Sequence, residues 1–126
     1  MTNQQAAELN SLKLAHIGDA VHTLFVRENM LKTEGRNMSI FARECNKLCN
    51  AAAQEKAYFK FLEIATQQEK EIAMRGRNAT MHHKAKNYSI EAYRHATAFE
   101  AVVGYLYLTG QTDRLNLILQ LSTEAK

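Results

Sequence analysis

Between Tyr93 and Gly110 the chain reads YRHATAFEAVVGYLYLTG. Apolar residues occupy every side of the helix this stretch predicts: Ala96, Ala98, Phe99, Ala101, Val102, Val103, Tyr105, Leu106, Tyr107 and Leu108. A helix without a polar face is one that its neighbours surround, so this segment is expected at the centre of the fold. The other elements follow from weaker stripes and from capping signals. A short helical turn is expected over residues 4–9. A long helix is expected from about Ser11 to Lys32, ending at Glu34-Gly35, with Ile17, Val21 and Leu24 sharing a face by i, i+4, i+7 spacing. A second is expected from about Ser39 to Ala65, with Ile40, Phe41, Leu48, Ala52, Tyr58, Phe59 and Leu62 as its apolar positions. Thr66-Gln67-Gln68-Glu69 fits a capping box and starts a third helix at Gln67, running to about Arg75. Gly76 to Asn87 has no helical stripe and reads as a loop. Thr112 is placed as the N-cap of a last helix, with Leu115, Ile118, Leu119 and Leu121 inward.

Strand-like alternation is missing, proline is absent, and Ala, Leu, Glu, Lys and Gln dominate. The expectation is an all-α fold in one domain, spanning residues 4–125. The longest apolar run, Ala101 to Leu108, is too short to cross a bilayer. The polar N-terminus does not read as a leader, so the cytosol is the expected location and no membrane partner is expected. The Asn-x-Ser/Thr triplets at Asn37, Asn78 and Asn87 are then chance matches. Cys45 and Cys49 are read as reduced thiols sharing a helix face, without the further ligands that zinc requires.

Two acids interrupt the apolar pattern. Glu100 sits inside the central helix, and a buried carboxylate is costly unless it meets a cation, binds a metal or keeps its proton. An Arg or Lys from a neighbouring helix would explain it. Asp19 lies in LAHIGDAVHTLFV, between Gly18 and Ala20, small neighbours that would let another backbone or a ligand approach. It would equally be explained as an N-cap, with Gly18 ending one helix and Asp19 opening the next. If the two acids meet, they repel unless a cation stands between them. Mg²⁺ suits such a pair, with its hard oxygen ligands and retained waters. It can then generate a nucleophile and stabilise the leaving oxygen of a phosphodiester.

Charge sharpens that idea. The segment from Met74 to His95 carries five cations, Arg75, Arg77, Lys84, Lys86 and Arg94, against the single acid Glu91. This local excess of four exceeds the +3 of the whole chain. A concentrated basic segment is the footprint expected of a polyanion partner, nucleic acid above all, although a solvated basic loop would look the same.

LAHIGDAVHTLFVRENML, RGRNA, KN, YR and TAFEAVVGYLYLTGQTDRL, in that order over roughly residues 10–120, resemble the mini-ribonuclease III branch of the ribonuclease III family. The resemblance implies a dimeric, Mg²⁺-dependent endoribonuclease with a ribonuclease III-like catalytic domain and no separate RNA-binding domain. It would cleave double-stranded RNA to 5′-phosphate and 3′-hydroxyl ends and trim precursor 23S ribosomal RNA. It makes Asp19 and Glu100 the catalytic metal ligands, with Asp19 also positioning the attacking water. Arg75, Arg77, Asn78, Lys86, Asn87, Tyr93 and Arg94 match its RGRN, KN and YR positions and are assigned to RNA contacts or to supporting the site. His83 and Lys84 join them on charge and position. The full-length family has further acids where this chain has Ala15 and Thr97, so a thin ligand set is implied. His16 and His22, at i−3 and i+3 from Asp19, are read as packing residues, with support of the aspartate as the alternative. Nothing is carried over for Cys45 to Gln54, which match poorly. The competing readings are a non-catalytic RNA-binding protein of the same fold, associated with ribosome assembly, and a helical regulator whose acids are structural.

Overall fold

In the computed structural model, which describes residues 1–33, 35–79 and 89–123, every regular element is helical. The order is α1 (Asn3–Ala7), α2 (Ser11–Thr33), α3 (Met38–Cys49), α4 (Ala51–Leu62), α5 (Gln67–Asn78), α6 (Ile90–Leu108) and α7 (Thr112–Thr123). As expected from its all-round apolar surface, α6 is the axis: α1, α2, α4, α5 and α7 all pack against it. Phe99, Val102, Val103, Tyr105 and Leu106 are sealed from solvent, each contributing on the order of 1.5–3 kcal/mol of transfer free energy. Ser89 caps the start of α6 by accepting from the Ala92 amide. Its end is a Schellman turn: Gly110, at φ 70°, donates to Tyr107, and Gln111 donates to Leu106.

Two expectations change. The helix expected from Ser39 to Ala65 is two helices, because Asn50 leaves helical geometry at ψ 169°. Its side chain then accepts from Ala53 N, capping α4. Helix α5 runs on to Asn78, since Gly76 packs against Ala98 and Ala101 of α6, where a larger residue would crowd. The first residues of the expected loop, Gly76 to Asn78, are therefore helical, and residues 80–87 lie outside the described residues. In α2, Ile17 and Leu24 are 37% and 60% exposed, while the buried face is Leu14, Ala15, Gly18, His22 and Val26.

That buried face is what positions the site. A Cβ on Gly18 would fall 1.8 Å from the Glu100 carbonyl oxygen, and one on Gly104 would fall 2.0 Å from the Leu14 carbonyl oxygen. The α2 and α6 backbones thus touch at paired glycines, closer than any side chain would permit.

At the other end of the molecule, the Thr66 capping box forms with both of its arms. Its Glu69 also receives Arg114 of α7 through two nitrogens, at 2.7 and 2.8 Å. Arg114 reaches on to the Ile64 carbonyl, so one buried ion pair ties α5, α7 and the α4–α5 turn together.

Candidate functional site

Asp19 is not an N-cap. It lies inside the continuous helix α2, one residue beyond the glycine that touches α6 at Glu100. Its exposed carboxylate therefore stands within hydrogen-bonding reach of the Glu100 side chain. A cleft of about 350 Å³ opens over the pair. Helix α2 supplies Leu12, Ala15, His16 and Asp19 to its walls, α4 supplies Ala51 and Gln54, and α6 supplies Tyr93, Ala96, Thr97 and Glu100. The α6 residues recur at i, i+3, i+4 and i+7, one face of the helix.

Among the described residues, no Lys or Arg forms an ion pair with Glu100. Burial, then the hydrogen bond with Asp19 and the Asp19 charge, push its carboxyl up to about 9, against the opposing pull of a hydrogen bond from Gln54. Buried beside a second acid, Glu100 holds its proton until something positive arrives. Tyr93, one helical face along, is raised by burial and then by the Glu100 charge. Ala15 and Thr97 offer no carboxylate; the Thr97 hydroxyl is spent on the Tyr93 carbonyl. Among the described residues no three His, Cys, Asp or Glu side chains gather into a metal-binding cluster. The donor set is two carboxylates facing an open cleft with no neutralising cation. That chemistry fits a hard divalent ion such as Mg²⁺, which keeps several of its waters.

The other expected residues are placed unevenly. Tyr93 lines the cleft. Arg94 is exposed on α6 and does not line it. Arg77 is half-buried near the end of α5, close enough to Tyr58 to act on its hydroxyl, and Asn78 is exposed at the helix terminus. Arg75 is engaged structurally: its guanidinium donates to the carbonyls of Ala7 and Leu9, closing the α1–α2 turn. His83, Lys84, Lys86 and Asn87 lie outside the described residues. Of the two histidines near Asp19, His16 is exposed in the cleft wall and His22 is fully buried. Its ring meets Phe99 edge-on at 5.6 Å. Burial, only partly offset by Asp19, lowers its pKa to about 4, so it is neutral.

The residue that sequence reasoning missed is Gln54. It is 3% exposed, and its Nε2 lies 3.2 Å from Glu100 Oε2 and 3.2 Å from His22 Nδ1. No spacing or motif marks it. The only hint was a polar residue inside an otherwise apolar helix face.

A second cleft, about 420 Å³, lies on the far side of Asp19 between α2 and α3, lined by Thr23, Arg27, Met38, Phe41 and the cysteines. Both thiols are free, and Cys49 is raised by burial.

Comparison with known proteins agrees with this arrangement. The family model described as the ribonuclease III domain matches residues 12–111. A mini-ribonuclease 3 of Thermoanaerobacter sp. is 36% identical over 98% of this chain and 87% of its own length. One from Streptococcus pneumoniae is 36% identical over 88% of each. A crystal structure of a Fusobacterium nucleatum protein superposes with a TM-score of 0.84 at 26% identity, covering 93% of both chains.

Proposed function

The chain belongs to the ribonuclease III family and is thus an endoribonuclease, and from that premise we propose that it is a Mg²⁺-dependent enzyme cleaving double-stranded RNA. The observation that carries the metal assignment is the Asp19–Glu100 pair itself, two carboxyl groups side by side with no Lys or Arg paired to Glu100 among the described residues. Asp19, exposed at the cleft, and Glu100, anchored in the core, hold the ion between them. When bound, Mg²⁺ supplies an activated water and a counter-charge for the leaving oxygen. Asp19 would orient that water, and Glu100 would release its proton and hold the ion as a carboxylate. The products carry 5′-phosphate and 3′-hydroxyl ends.

Duplex RNA is held mainly through phosphates and 2′-hydroxyls, so cations without a base-reading motif suffice. Arg77 and Arg94 are assigned to it, with Asn78 and Tyr93 beside them, and so are His83, Lys84, Lys86 and Asn87 by position. The substrate is assigned as precursor 23S ribosomal RNA and the location as the cytoplasm. No described helix is long and apolar enough to cross a membrane.

Residues 4–125 act as one catalytic domain, and the active form is a homodimer. Ile17, Val21, Leu24, Glu28 and Leu31 recur at alternating spacings of four and three along α2, the seam by which one helix packs on another. Leu24 is 60% exposed and Leu31 71% exposed in the single chain. A second copy across a two-fold axis would cover them and set two clefts on one duplex. Leu24→Glu should leave a folded monomer by sedimentation; an unchanged dimer would move the interface elsewhere.

Purified protein with an end-labelled RNA duplex tests the reading directly. Internal cutting with Mg²⁺, none with EDTA, and 5′-phosphate products are the expected result. Binding without cutting would instead make this a non-catalytic RNA-binding member of the fold.

A further inference from the structure

We propose that Gln54 is a positioning residue for Glu100: its side-chain amide, keyed by the buried ring of His22, holds one carboxylate oxygen so that the other faces the cleft. The inference rests on the metal-site reading above and adds a residue to it. Gln54 stands in the first turn of α4, a helix also held to α6 by apolar packing through Ala57 and Phe61 and by Glu55 against His95. Its amide nitrogen meets two acceptors at the same 3.2 Å distance, Oε2 of Glu100 and Nδ1 of His22. An amide nitrogen carries two hydrogens, so with Glu100 ionised, as a bound cation requires, and Nδ1 of His22 unprotonated, both contacts are satisfied at once and the amide faces one way. Turned over, its carbonyl oxygen would confront the carboxylate and the imidazole lone pair together.

The key works because His22 presents a lone pair at Nδ1. The ring sits at 0% exposure on the buried face of α2 between Gly18 and Val26, with its edge on Phe99. Its proton is then on Nε2, a buried atom with no hydrogen-bond partner among the described residues. Leaving that N–H unpaired costs free energy. Simple packing would not select a polar ring at that cost, whereas an acceptor aimed at Gln54 requires one.

The chemistry of the amide matters as much as its direction. A Lys or Arg here would neutralise Glu100, as Arg114 neutralises Glu69, and would compete with the metal. A third acid would deepen the repulsion. A neutral donor fixes the carboxylate and leaves its charge available. Groups that orient metal ligands in this way typically contribute about 10–100-fold to metal affinity or activity.

The test compares wild type with Gln54→Leu, His22→Asn and His22→Leu, reading direct Mn²⁺ binding by calorimetry, the Mn²⁺ dependence of duplex cleavage, and metal-free RNA binding. Asparagine places an oxygen where Nδ1 stood; leucine removes the acceptor. Gln54→Leu and His22→Leu are expected to weaken Mn²⁺ binding and raise the Mn²⁺ concentration for half-maximal cutting about 10–100-fold, with RNA binding unchanged. His22→Asn should recover most of the loss. Unaltered Mn²⁺ binding in Gln54→Leu would overturn the proposal, as would equal impairment in His22→Asn and His22→Leu. If one leucine variant fails to fold, the other still decides the question through the same Mn²⁺ titration. If wild type binds Mn²⁺ but cuts no duplex, the nuclease reading fails, while the calorimetric comparison still judges Gln54.

Discussion

Glu69 and Glu100 are both glutamates turned inward from a helix, and the chain treats them in opposite ways. Glu69, at 3% exposure, takes two nitrogens of Arg114 and the Thr66 amide. Burial raises its pKa, but the Arg114 and Thr66 hydrogen bonds outweigh that effect, and the net shift is downward. Glu100 meets a second acid and a neutral amide, and its carboxyl is pushed up to about 9. Glu69 has its counter-charge in Arg114, whereas among the described residues no cation pairs with Glu100, the group proposed to take a metal ion. The same residue type thus serves as a tie between α5 and α7 and, on the proposed reading, as a metal ligand on α6. The identity of the facing side chain decides which.

The sharpest way to test that contrast is to remove charge from the unfilled site. Asp19→Asn and Glu100→Gln should each lower Mg²⁺-dependent cleavage by more than about 10³-fold, beyond the loss of one stabilising donor in an active site. RNA binding measured in EDTA should hardly change. A variant that cuts near the wild-type rate would remove that residue from the metal set.

The converse experiment breaks the tie. Arg114→Ala strands a buried carboxylate and should cost about 3 kcal/mol, the low end for a disrupted buried pair, because Arg114 itself is 25% exposed. Denaturant titration measures this. The variant that remains folded should still cut RNA when saturated with Mg²⁺. A loss below about 0.5 kcal/mol would place the pair in the class of surface salt bridges.

Between those extremes lies a prediction of opposite sign. In EDTA at neutral pH, Glu100→Gln should stabilise the fold by about 1 kcal/mol, since Glu100, pushed up to about 9, must take up a proton on folding whereas an amide need not. This is a rise of roughly 3–6 °C in Tm for a domain of this size. Added Mg²⁺ should raise the wild-type Tm and leave that of Glu100→Gln unmoved, because only a ligand that binds the folded state stabilises it. A metal-free Glu100→Gln protein less stable than wild type would mean that Glu100 is a structural residue.

The sequence made one half of this contrast visible and hid the other. Helix α6 was legible because its residues are apolar on every side, which only a central helix tolerates. Asp19 and Glu100 stood out as acids in such surroundings, though their meeting was not readable from spacing. It depends on Gly18 and Gly104 bringing two backbones together, and only Gly18 hinted at that. The stripe Ile17, Val21, Leu24 was visible as one face of α2, but what it faces was not. Periodicity shows that a face is apolar, not what covers it, and the true buried face includes a glycine and a histidine that hydropathy does not flag. The break at Asn50 was hidden because the alanines after it continue a helical pattern. Glu69 was recognised as a capping residue, but its partner lies 45 positions away, and no local pattern links them.

The smallest expected effect is the loss of stability at acid pH that the tie contributes. The Glu69 carboxyl is held below its ordinary value of 4.5 in the folded chain, so folding favours its ionised form. The unfolded state then binds more protons in the acid range, and stability falls as pH falls. The contribution is fully present above the unfolded pKa of about 4.5 and is lost as pH drops through the lower folded value. Arg114→Ala should flatten this acid limb, measured as Tm from pH 6 down to pH 3, because the hydrogen bonds that depress the pKa are gone. Glu100→Gln leaves Arg114 and Thr66 in place and should retain the limb. If Glu100→Gln flattened it instead, the acid sensitivity would belong to the metal site, and the division of labour between the two glutamates would fail.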